Sequence, residues 1–299
     1  MNLEDTVFII KPHEKKSASY HLALEEALYL KALDQLKRSG TFDPIIRLYS
    51  FSKPAVILGY RQKISEIDLT YCSEHGVEVT MRKTGGGSVY LGAGDVQYSL
   101  ILPSKYSKNL LRNINEKIVI ALQDIGFSPQ LVNENNHSVI RMQKKSFVFD
   151  AQRRSIIYLG NITNPKFALL HHGTILVDNE DYEHMPRALK ASSQHIYELN
   201  TGNIWLRNKY EIAEYKLIQS LHKNLPFGLM IIKKEYTSEE LNLAKELYDE
   251  FYSKPTMFSD GNKKYGICYR PTFAAPSTLY NMEKYVEKEE ITYARTQFS

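Results

Sequence analysis

The chain has 299 residues, and its 38 Lys and Arg residues against 34 Asp and Glu residues give a formal net charge of +4. Hydrophobic residues make up 43% and charged residues 24% of the sequence, which is typical of folded globular proteins and excludes disordered, collagen-like and coiled-coil chains. The length predicts one large domain with an appendage, or two domains. A net charge of +4 is too small to indicate nucleic-acid binding, so we expect no nucleic-acid partner.

The cysteine content and the N-terminal residues indicate in which cellular compartment the protein is located. Cys72 and Cys268 are the two cysteines of the sequence, and their number and spacing match neither a disulfide framework nor a cysteine-based zinc site. The N-terminal residues show no basic leader followed by an apolar stretch, and no later run approaches a membrane span. We therefore expect a cytoplasmic protein that has no membrane association and no metal site built from protein ligands.

Hydrophobic periodicity predicts helices and strands in alternation. The predicted helices cover residues 17–36, 109–125 and 210–221, and serines at the start of the first helix can cap it. The predicted strands cover residues 45–49, 55–58, 77–82, 88–90, 96–102, 139–140, 146–149, 156–159 and 167–177. The first two strands are separated by a predicted turn at Ser52-Lys53-Pro54. This alternation predicts an α+β (mixed α/β) fold with a mixed β-sheet and flanking helices.

A domain boundary is predicted near residue 226, where Pro226 and Gly228 interrupt the pattern. A strand is predicted at residues 229–232, and the capping-box sequence Thr237-Ser-Glu-Glu240 predicts a helix that reaches about Phe251. We therefore expect a larger domain over residues 1–225 and a small C-terminal accessory region over residues 226–299.

The glycine-rich segment over residues 82–90 is the most informative part of the sequence. Its glycines, Gly85, Gly86 and Gly87, allow a sharp turn and a close backbone approach to a ligand, and Arg82 and Lys83 add positive charge. The segment matches neither the Walker loop nor the dinucleotide fingerprint. From these residues alone, a structural turn and an anion-binding loop remain equal alternatives.

The order of several motifs resembles the lipoate–protein ligase and octanoyltransferase family, which is related in fold to the biotin–protein ligases. The motifs are Ala23-Leu24-Glu25-Glu26-Ala27-Leu28, Arg47-Leu48-Tyr49, Gly59-Tyr60-Arg61-Gln62, the glycine-rich segment, Gly94-Asp95 and His172-Gly173-Thr174-Ile175-Leu176. The resemblance covers about residues 5–225. It implies a substrate- and adenylate-binding site formed by Arg47, Arg82, Gly85, Gly86, Gly87, Ser88, Val89, Tyr90, Asn136, His172, Gly173 and Thr174.

The resemblance also implies a catalytic lysine that stabilises negative charge developing on the acyl carbonyl. One alignment with the family pattern Lys-x-x-Gly-x-Ala-Gln makes Lys145 that residue, although it needs one inserted residue and places Phe149 where a glycine is expected. A second alignment uses Gly160-Asn161 for the glycine step and places Ile157 at the lysine position. Lys145 is our candidate, and a solvated lysine in a strand-turn is the alternative.

A third alignment compares residues 146–151 with a Cys-Phe-Asp-Ala segment in which the cysteine of some octanoyltransferases forms a thioester. Val148 stands at the cysteine position, and an aliphatic side chain cannot attack an acyl group. Cys72 is predicted to be a small buried residue. Two further positions differ from the family pattern. His137 follows Asn136 at a position where the family has a carboxylate, and Leu91 stands at a position where a histidine is common.

The resemblance predicts an ATP-dependent lipoate–protein ligase that uses ATP and Mg2+, with lipoate as its substrate. The expected acceptors are lipoyl domains of 2-oxoacid dehydrogenase complexes or the glycine cleavage H protein, and a separate accessory subunit is a further expected partner. The alternatives are an ATP-independent octanoyl or lipoyl transferase and a non-catalytic paralogue that binds an acyl group or a lipoyl domain. For His171 and His172, strand packing and pocket shape are favoured over acid–base chemistry.

Overall fold

A computed structural model describes residues 7–59, 62, 64–84, 88–103, 110–127, 129–134, 137–142, 146–148, 153–159, 166–175, 183–190, 213–226, 230–253, 256–260 and 263–267. The helices within these ranges are α1 (Ala18–Ser39), α2 (Leu69–Glu74), α3 (Leu110–Asp124), α4 (Met185–Ala188), α5 (Ala213–Asn224) and α6 (Ser238–Leu247). A 3-10 turn covers Ile64–Glu66, and a π-helical turn over Tyr248–Tyr252 continues α6.

The strands of the described ranges are numbered in chain order. They are β1 (Val7–Ile10), β2 (Glu14–Lys16), β3 (Ile45–Phe51), β4 (Ala55–Leu58), β5 (Glu78–Met81), β6 (Val89–Leu91), β7 (Val96–Pro103), β8 (Pro129–Glu134), β9 (His137–Met142), β10 (Ser146–Val148), β11 (Arg153–Leu159), β12 (Lys166–Ile175), β13 (Met230–Lys233), β14 (Thr256–Asp260) and β15 (Lys263–Ile267). These elements confirm the predicted mixed α/β fold class.

The main sheet is mixed and has the strand order β11-β12-β7-β3-β1-β13, with β2 also paired to β3. Strand β1 runs parallel to β3 and β13, whereas β7 is antiparallel to β3 and β12. A second sheet has the order β5-β4-β6. The predicted strands 45–49 and 55–58 are confirmed as β3 and β4, and the turn between them connects two different sheets.

Helices cover both faces of the main sheet. The long helix α1 packs on one face, and its core includes Leu24, Leu28, Ile45, Ile101 and Leu170. Helices α3 and α5 supply the core on the other face, together with alternate residues of β3, β7 and β12. Since neighbouring residues of a strand point to opposite faces, each central strand contributes to both layers, and β3 and β7 are buried along their length.

Local capping interactions define the ends of α1. The Ser17 side chain accepts a hydrogen bond from the backbone N of Tyr20, which confirms the predicted serine cap. The Glu78 carboxylate of β5 accepts bonds from the backbone N–H groups of Ala18 and Ser19, so the second sheet is attached to the start of α1. Gly40 ends the helix with a φ of 76°, a conformation that glycine adopts without strain.

The chain after residue 226 packs against both the main sheet and α1. Strand β13 pairs in parallel with β1, and Leu243, Ala244 and Leu247 of α6 belong to the core around α1. The predicted capping box is confirmed, because the Thr237 side chain and the Glu240 side chain each accept a bond from the other residue's backbone N–H. The division into domains at residue 226 stays a prediction.

Among the described helices, none combines the length and apolar character needed to cross a lipid bilayer.

Candidate active site

Two rows of polar side chains cross the middle of the main sheet. Residues paired across β3, β7 and β12 form them, and all six side chains are buried. The first row is Arg47, Ser99 and His172, and the second is Tyr49, Gln97 and Thr174. Both rows lie on the face that carries α1, because residues two apart in a strand point to the same side.

On the same face of the sheet, the polar rows lie next to a row of apolar side chains. The adjacent row consists of Ile45, Ile101 and Leu170, as expected for a helix-covered sheet. Burying polar groups costs free energy unless they are paired, so packing alone does not explain two complete polar rows under a helix. We identify this layer between α1 and the sheet as the candidate site.

Arg47 is the charged centre of the first row and is 1% exposed. Its Nε donates to the hydroxyl of Tyr236 at 3.1 Å, and its guanidinium lies 4.7 Å from the ring centre of Tyr49. Burial opposes the charged form, but Tyr236, Tyr49 and Glu25 raise the pKa of Arg47 above its ordinary value. Arg47 therefore remains a guanidinium cation within the core.

His21 of α1 is held neutral by Arg47. The Nη2 of Arg47 lies 3.1 Å from Nδ1 of His21, and because a guanidinium is only a donor, Nδ1 must accept. The other ring nitrogen, Nε2, lies 3.2 Å from the carbonyl oxygen of Ser50 and 3.2 Å from the backbone N of Lys16. Burial and the Arg47 charge lower the pKa of His21 to about 2.

Glu25, His172 and Thr84 form a buried hydrogen-bonded chain. The Glu25 carboxylate lies 2.9 Å from Nδ1 of His172, and Thr84 Oγ1 lies 2.8 Å from Nε2 of the same ring. Both ring nitrogens of His172 are thus engaged, Nδ1 by the Glu25 carboxylate and Nε2 by the Thr84 hydroxyl. Burial by itself raises the pKa of Glu25, but His172, Arg47 and Ser99 together lower it below its ordinary value.

The three residues before the glycine run, Arg82, Lys83 and Thr84, each contact a different element of the fold. Nη1 of Arg82 donates to the carbonyl of Ile57 in β4 at 3.0 Å. Nζ of Lys83 lies 2.8 Å from the carboxylate of Glu26 in α1, and Thr84 contacts His172 as described above. Because the glycines follow directly, these contacts set where their backbone begins.

The chain after the glycine run is held in a similar way. The backbone N and the hydroxyl of Ser88 both donate to Oε1 of Gln62, at 3.1 and 3.0 Å. Val89 and Tyr90 then pair with β4 as the first residues of β6. The glycine run is therefore flanked on both sides by described, hydrogen-bonded residues.

The buried amide of Gln97 is hydrogen-bonded at one of its two polar atoms. Its Oε1 accepts a hydrogen bond from the Thr174 hydroxyl. Its buried Nε2 has no hydrogen-bond partner among the described residues. An unpaired buried donor costs about 1–3 kcal/mol, so a ligand atom or a water molecule at Gln97 would stabilise the layer.

The charges near the site suit an anionic ligand. Arg47, Arg82 and Lys83 supply three cations, whereas Glu25 and Glu26 are engaged with His172 and Lys83 respectively. Within the described residues, no group of three or more His, Cys, Asp or Glu side chains could hold a metal ion.

The structure places several residues predicted for the site in one region. Arg47, His172 and Thr174 belong to the polar rows, Arg82 leads into the glycine run, and Ser88, Val89 and Tyr90 leave it. Gly173 pairs with Tyr98 and lies at a strand position that faces the α3 side of the sheet. The predicted residues Gly85, Gly86, Gly87, Asn136 and Lys145 lie outside the described residues.

His171 and Cys72 occupy packed positions. The ring of His171 lies 5.8 Å from that of Tyr98 on the α3 side, which agrees with a packing role. Cys72 lies within α2 and is 1% exposed, as expected for a small buried residue. Burial raises the pKa of its thiol to about 12, so Cys72 is not a thiolate nucleophile at neutral pH.

Several residues of the site are absent from the predicted set. They include His21, Glu25, Tyr49, Thr84, Gln97 and Ser99. The signal that could have identified Gln97 and Ser99 is a polar pair at positions i and i+2 within an apolar strand, which also occurs at Arg47 and Tyr49 and at His172 and Thr174. His21 and Glu25 share the same pattern in helical form, four residues apart on one face of α1.

Comparison with known proteins assigns this architecture to a family. The lipoyl protein ligase A/B catalytic domain matches residues 17–209, which is more than half of the chain, and the chain belongs to this family. The resemblance predicted from the sequence motifs is confirmed.

The matched relatives include both enzyme activities of the family. Lipoate-protein ligase A subunit 1 of Thermoplasma acidophilum is 28% identical over 246 residues, covering 78% of this chain and 88% of the relative. Octanoyltransferase LipM of Carboxydothermus hydrogenoformans is 26% identical over 261 residues, covering 81% and 94% of the two chains. The chain is thus an enzyme-family member similar to ligases and to transferases.

Solved structures agree with the fold. A structure of the bi-partite lipoate protein ligase and E2 lipoyl domain from T. acidophilum matches with a TM-score of 0.65 at 21% identity, covering 83% of this chain and 94% of that one. A structure of lipoate-protein ligase A bound with ATP matches with a TM-score of 0.63 at 23% identity, covering 84% and 96%. At these identities the matches establish the common architecture.

Proposed function

We propose that the protein is an ATP-dependent lipoate–protein ligase. In the first step the lipoate carboxylate attacks the α-phosphorus of ATP, which forms lipoyl-adenylate and releases pyrophosphate. In the second step the amine of an acceptor lysine attacks the acyl carbonyl, which forms an amide and releases AMP. Neither step needs a nucleophile from the protein.

The observation that carries this proposal concerns the cysteines. A thioester mechanism requires a thiolate beside the acyl carbonyl, but Val148 stands at the position of the cysteine in the octanoyltransferase pattern. Cys72 is buried within α2, with a pKa raised to about 12. Cys268, which lies outside the described residues, is the remaining thiol of the sequence. The adenylate route needs no thiolate from the protein.

The proposed roles follow from charge and position. Arg82 and Lys83, together with the backbone of Gly85–Gly87, would hold the anionic adenylate, because cations and exposed amides stabilise phosphate oxygens. Lys145 would stabilise negative charge on the acyl carbonyl oxygen. The polar rows around His172 and Gln97 would line the acyl pocket.

ATP would bring Mg2+ to the site. The ion supplies charge neutralisation of the triphosphate when it is bound, and the phosphate oxygens would be its main ligands. Arg82 and Lys83 would complement the same phosphates by charge. Their contacts with Ile57 and Glu26 would orient them before the nucleotide binds.

The proposed acceptor is a small lipoyl domain in the cytoplasm, belonging to a 2-oxoacid dehydrogenase complex or a glycine cleavage H protein. The similar structure from T. acidophilum is described as a bi-partite lipoate protein ligase and its E2 lipoyl domain. By analogy, a separate accessory subunit is proposed as a second partner. The net charge of +4 would favour an acidic acceptor.

An ATP-independent octanoyl or lipoyl transferase is the second candidate function. It is favoured by the 26% identity with an octanoyltransferase over 81% of this chain. Such an enzyme takes the acyl group from another protein, and Cys268 would have to replace the missing cysteine at position 148. This requirement separates the two candidates experimentally.

The test is intact mass spectrometry of a purified lipoyl domain after incubation with the full-length protein. One reaction contains lipoate with ATP and Mg2+, a matched reaction omits ATP, and a third contains an octanoylated donor protein without ATP. The ligase proposal predicts the mass of one added lipoyl group in the first reaction only. Acyl transfer in the third reaction without product in the first would assign the transferase function instead.

A further inference from the structure

The carboxylate of Glu26 connects the helical turn that follows α6 with the segment before the glycine run. The hydroxyl of Tyr252 donates to Oε2 of Glu26 at 2.8 Å, and Nζ of Lys83 lies 2.8 Å from Oε1 of the same side chain. Tyr252 is buried, and the Glu26 side chain is only 10% exposed. Each carboxylate oxygen of Glu26 therefore has its own partner.

The geometry restricts both side chains of the ion pair. A carboxylate that is held at one oxygen by a buried hydroxyl has lost most of its freedom to rotate, so its other oxygen faces Lys83 in a defined direction. Lys83 is 28% exposed and directly precedes Thr84, whose hydroxyl contacts His172. The position of Lys83 therefore affects where the glycine run begins.

We propose that Tyr252 is a positioning residue for the adenylate site. It orients Glu26, and Glu26 fixes the direction of the Lys83 ammonium, which would complement the phosphate of the adenylate. The chain after residue 226 would thus contribute to nucleotide binding without touching the nucleotide. This inference rests on the proposed function, because it assigns a role within the adenylate site of a ligase.

A role in folding alone does not account for the hydroxyl. Helix α6 is anchored independently by the ion pair between Lys11 and Glu240 at 2.6 Å and by the apolar side chains of Leu243 and Leu247. Replacing Tyr252 with phenylalanine keeps the buried ring and removes only the hydrogen-bond donor. The substitution is therefore expected to preserve the fold while releasing Glu26.

The first measurement is the affinity of the full-length protein for a non-hydrolysable sulfamate mimic of lipoyl-adenylate, by isothermal titration calorimetry. Tyr252→Phe is expected to weaken binding about three- to tenfold, which is less than the direct loss of one hydrogen bond to a charged group because Tyr252 acts indirectly. Glu26→Gln should weaken it at least as much. The double variant should bind no more weakly than Glu26→Gln, because Tyr252 acts through Glu26.

Tyr248→Phe is the matched control. Tyr248 lies one turn earlier in the same helical segment and packs edge-on against Tyr20, with 6.4 Å between the ring centres. The Tyr248→Phe variant should bind the mimic like the wild type. A second readout is amide hydrogen exchange of residues 80–84 in the absence of ligand. Exchange should be faster in Tyr252→Phe than in wild type and unchanged in Tyr248→Phe.

The outcomes separate this inference from the proposed function. Wild-type protein that does not bind the mimic would overturn the proposed function together with the inference. Wild-type protein that binds, with equal affinity in Tyr252→Phe, would overturn the inference alone. Additive losses in Tyr252→Phe and Glu26→Gln would also overturn it, since Tyr252 would then act independently of Glu26.

Discussion

Tyr236 and Arg47 join the C-terminal part of the chain to the buried polar layer. Nε of Arg47 donates to the hydroxyl of Tyr236 at 3.1 Å, although the two residues are 189 positions apart in the sequence. The same hydroxyl donates to the carbonyl of Pro12 at 3.4 Å. Tyr236 therefore supplies an acceptor for the buried guanidinium of Arg47.

Replacing Tyr236 with phenylalanine should destabilise the protein by about 1–3 kcal/mol, because Nε of Arg47 loses its acceptor in the core. Urea denaturation of the wild type and the variant measures the difference. The matched control is Tyr215→Phe, which lies on the exposed side of α5 and should alter stability little. Equal stability of Tyr236→Phe and wild type would mean that Arg47 finds another acceptor.

Glu240 and its neighbour Glu239 offer a direct comparison between a buried and an exposed ion pair. Lys11 is 2% exposed and pairs with Glu240, whereas the pair of Lys31 with Glu239 is open to solvent. Glu240→Gln should cost about 3–5 kcal/mol, since it leaves a buried ammonium without its counter-ion. Glu239→Gln should change stability little.

Chemical denaturation of both variants measures this contrast. Glu240 also accepts from the backbone N of Thr237 as part of the capping box, and glutamine retains an oxygen for that bond. A loss in Glu240→Gln can therefore be assigned mainly to the ion pair. Equal stabilities of the two variants would show that the Lys11–Glu240 pair does not anchor α6.

The protonation of His21 predicts a loss of stability in acid. Its pKa is about 2 in the folded protein, below the ordinary value near 6.5 that it has in the unfolded chain. As the pH falls below 6.5, the unfolded chain binds a proton that the folded protein does not, so stability present above pH 6.5 is progressively lost. Between pH 6.5 and pH 5 this amounts to about 2 kcal/mol.

The pH dependence of urea denaturation tests this contribution in the wild type and in His21→Asn. Asparagine keeps an acceptor near the position of Nδ1 for Arg47 but has no proton to gain, so the variant should lose about 2 kcal/mol less over the same pH interval. Parallel pH profiles for the two proteins would contradict the buried neutral state of His21.

Lys145 and Lys144 form a natural pair for testing the predicted catalytic lysine. Lys145→Ala should reduce lipoylation of the acceptor domain by at least about 100-fold, as expected when charge stabilisation of a reacting carbonyl is removed. Lys144→Ala should retain activity. The measurement is the initial rate of acceptor lipoylation, and full activity of Lys145→Ala would show that the first alignment assigns the wrong residue.

Local sequence patterns were sufficient to predict much of the fold. The strand predicted at residues 55–58 is β4 with the same bounds, and the capping box at Thr237 begins α6 as expected. Both features depend on residues close together in the chain. Strands β1 and β2 were not predicted, because they are short and their pairing partners are distant in sequence.

The site was predicted less completely because it depends on register between strands. The sequence indicates that His172 lies in a strand, but only the pairing of His172 with Ser99 and of Ser99 with Arg47 places them in one row. The partners of Glu25 and Arg47 come from other elements, and such long-range contacts leave no local sequence signal.

The most direct test of the ligase account is the formation of lipoyl-adenylate in the absence of an acceptor. Full-length protein is incubated with lipoate, α-labelled ATP and Mg2+, with the accessory subunit added where one is found, and the products are separated by chromatography. The account predicts lipoate-dependent labelled lipoyl-adenylate and pyrophosphate release. No adenylate, together with ATP-independent transfer from an octanoylated donor protein, would contradict the account and assign the chain to the transferases.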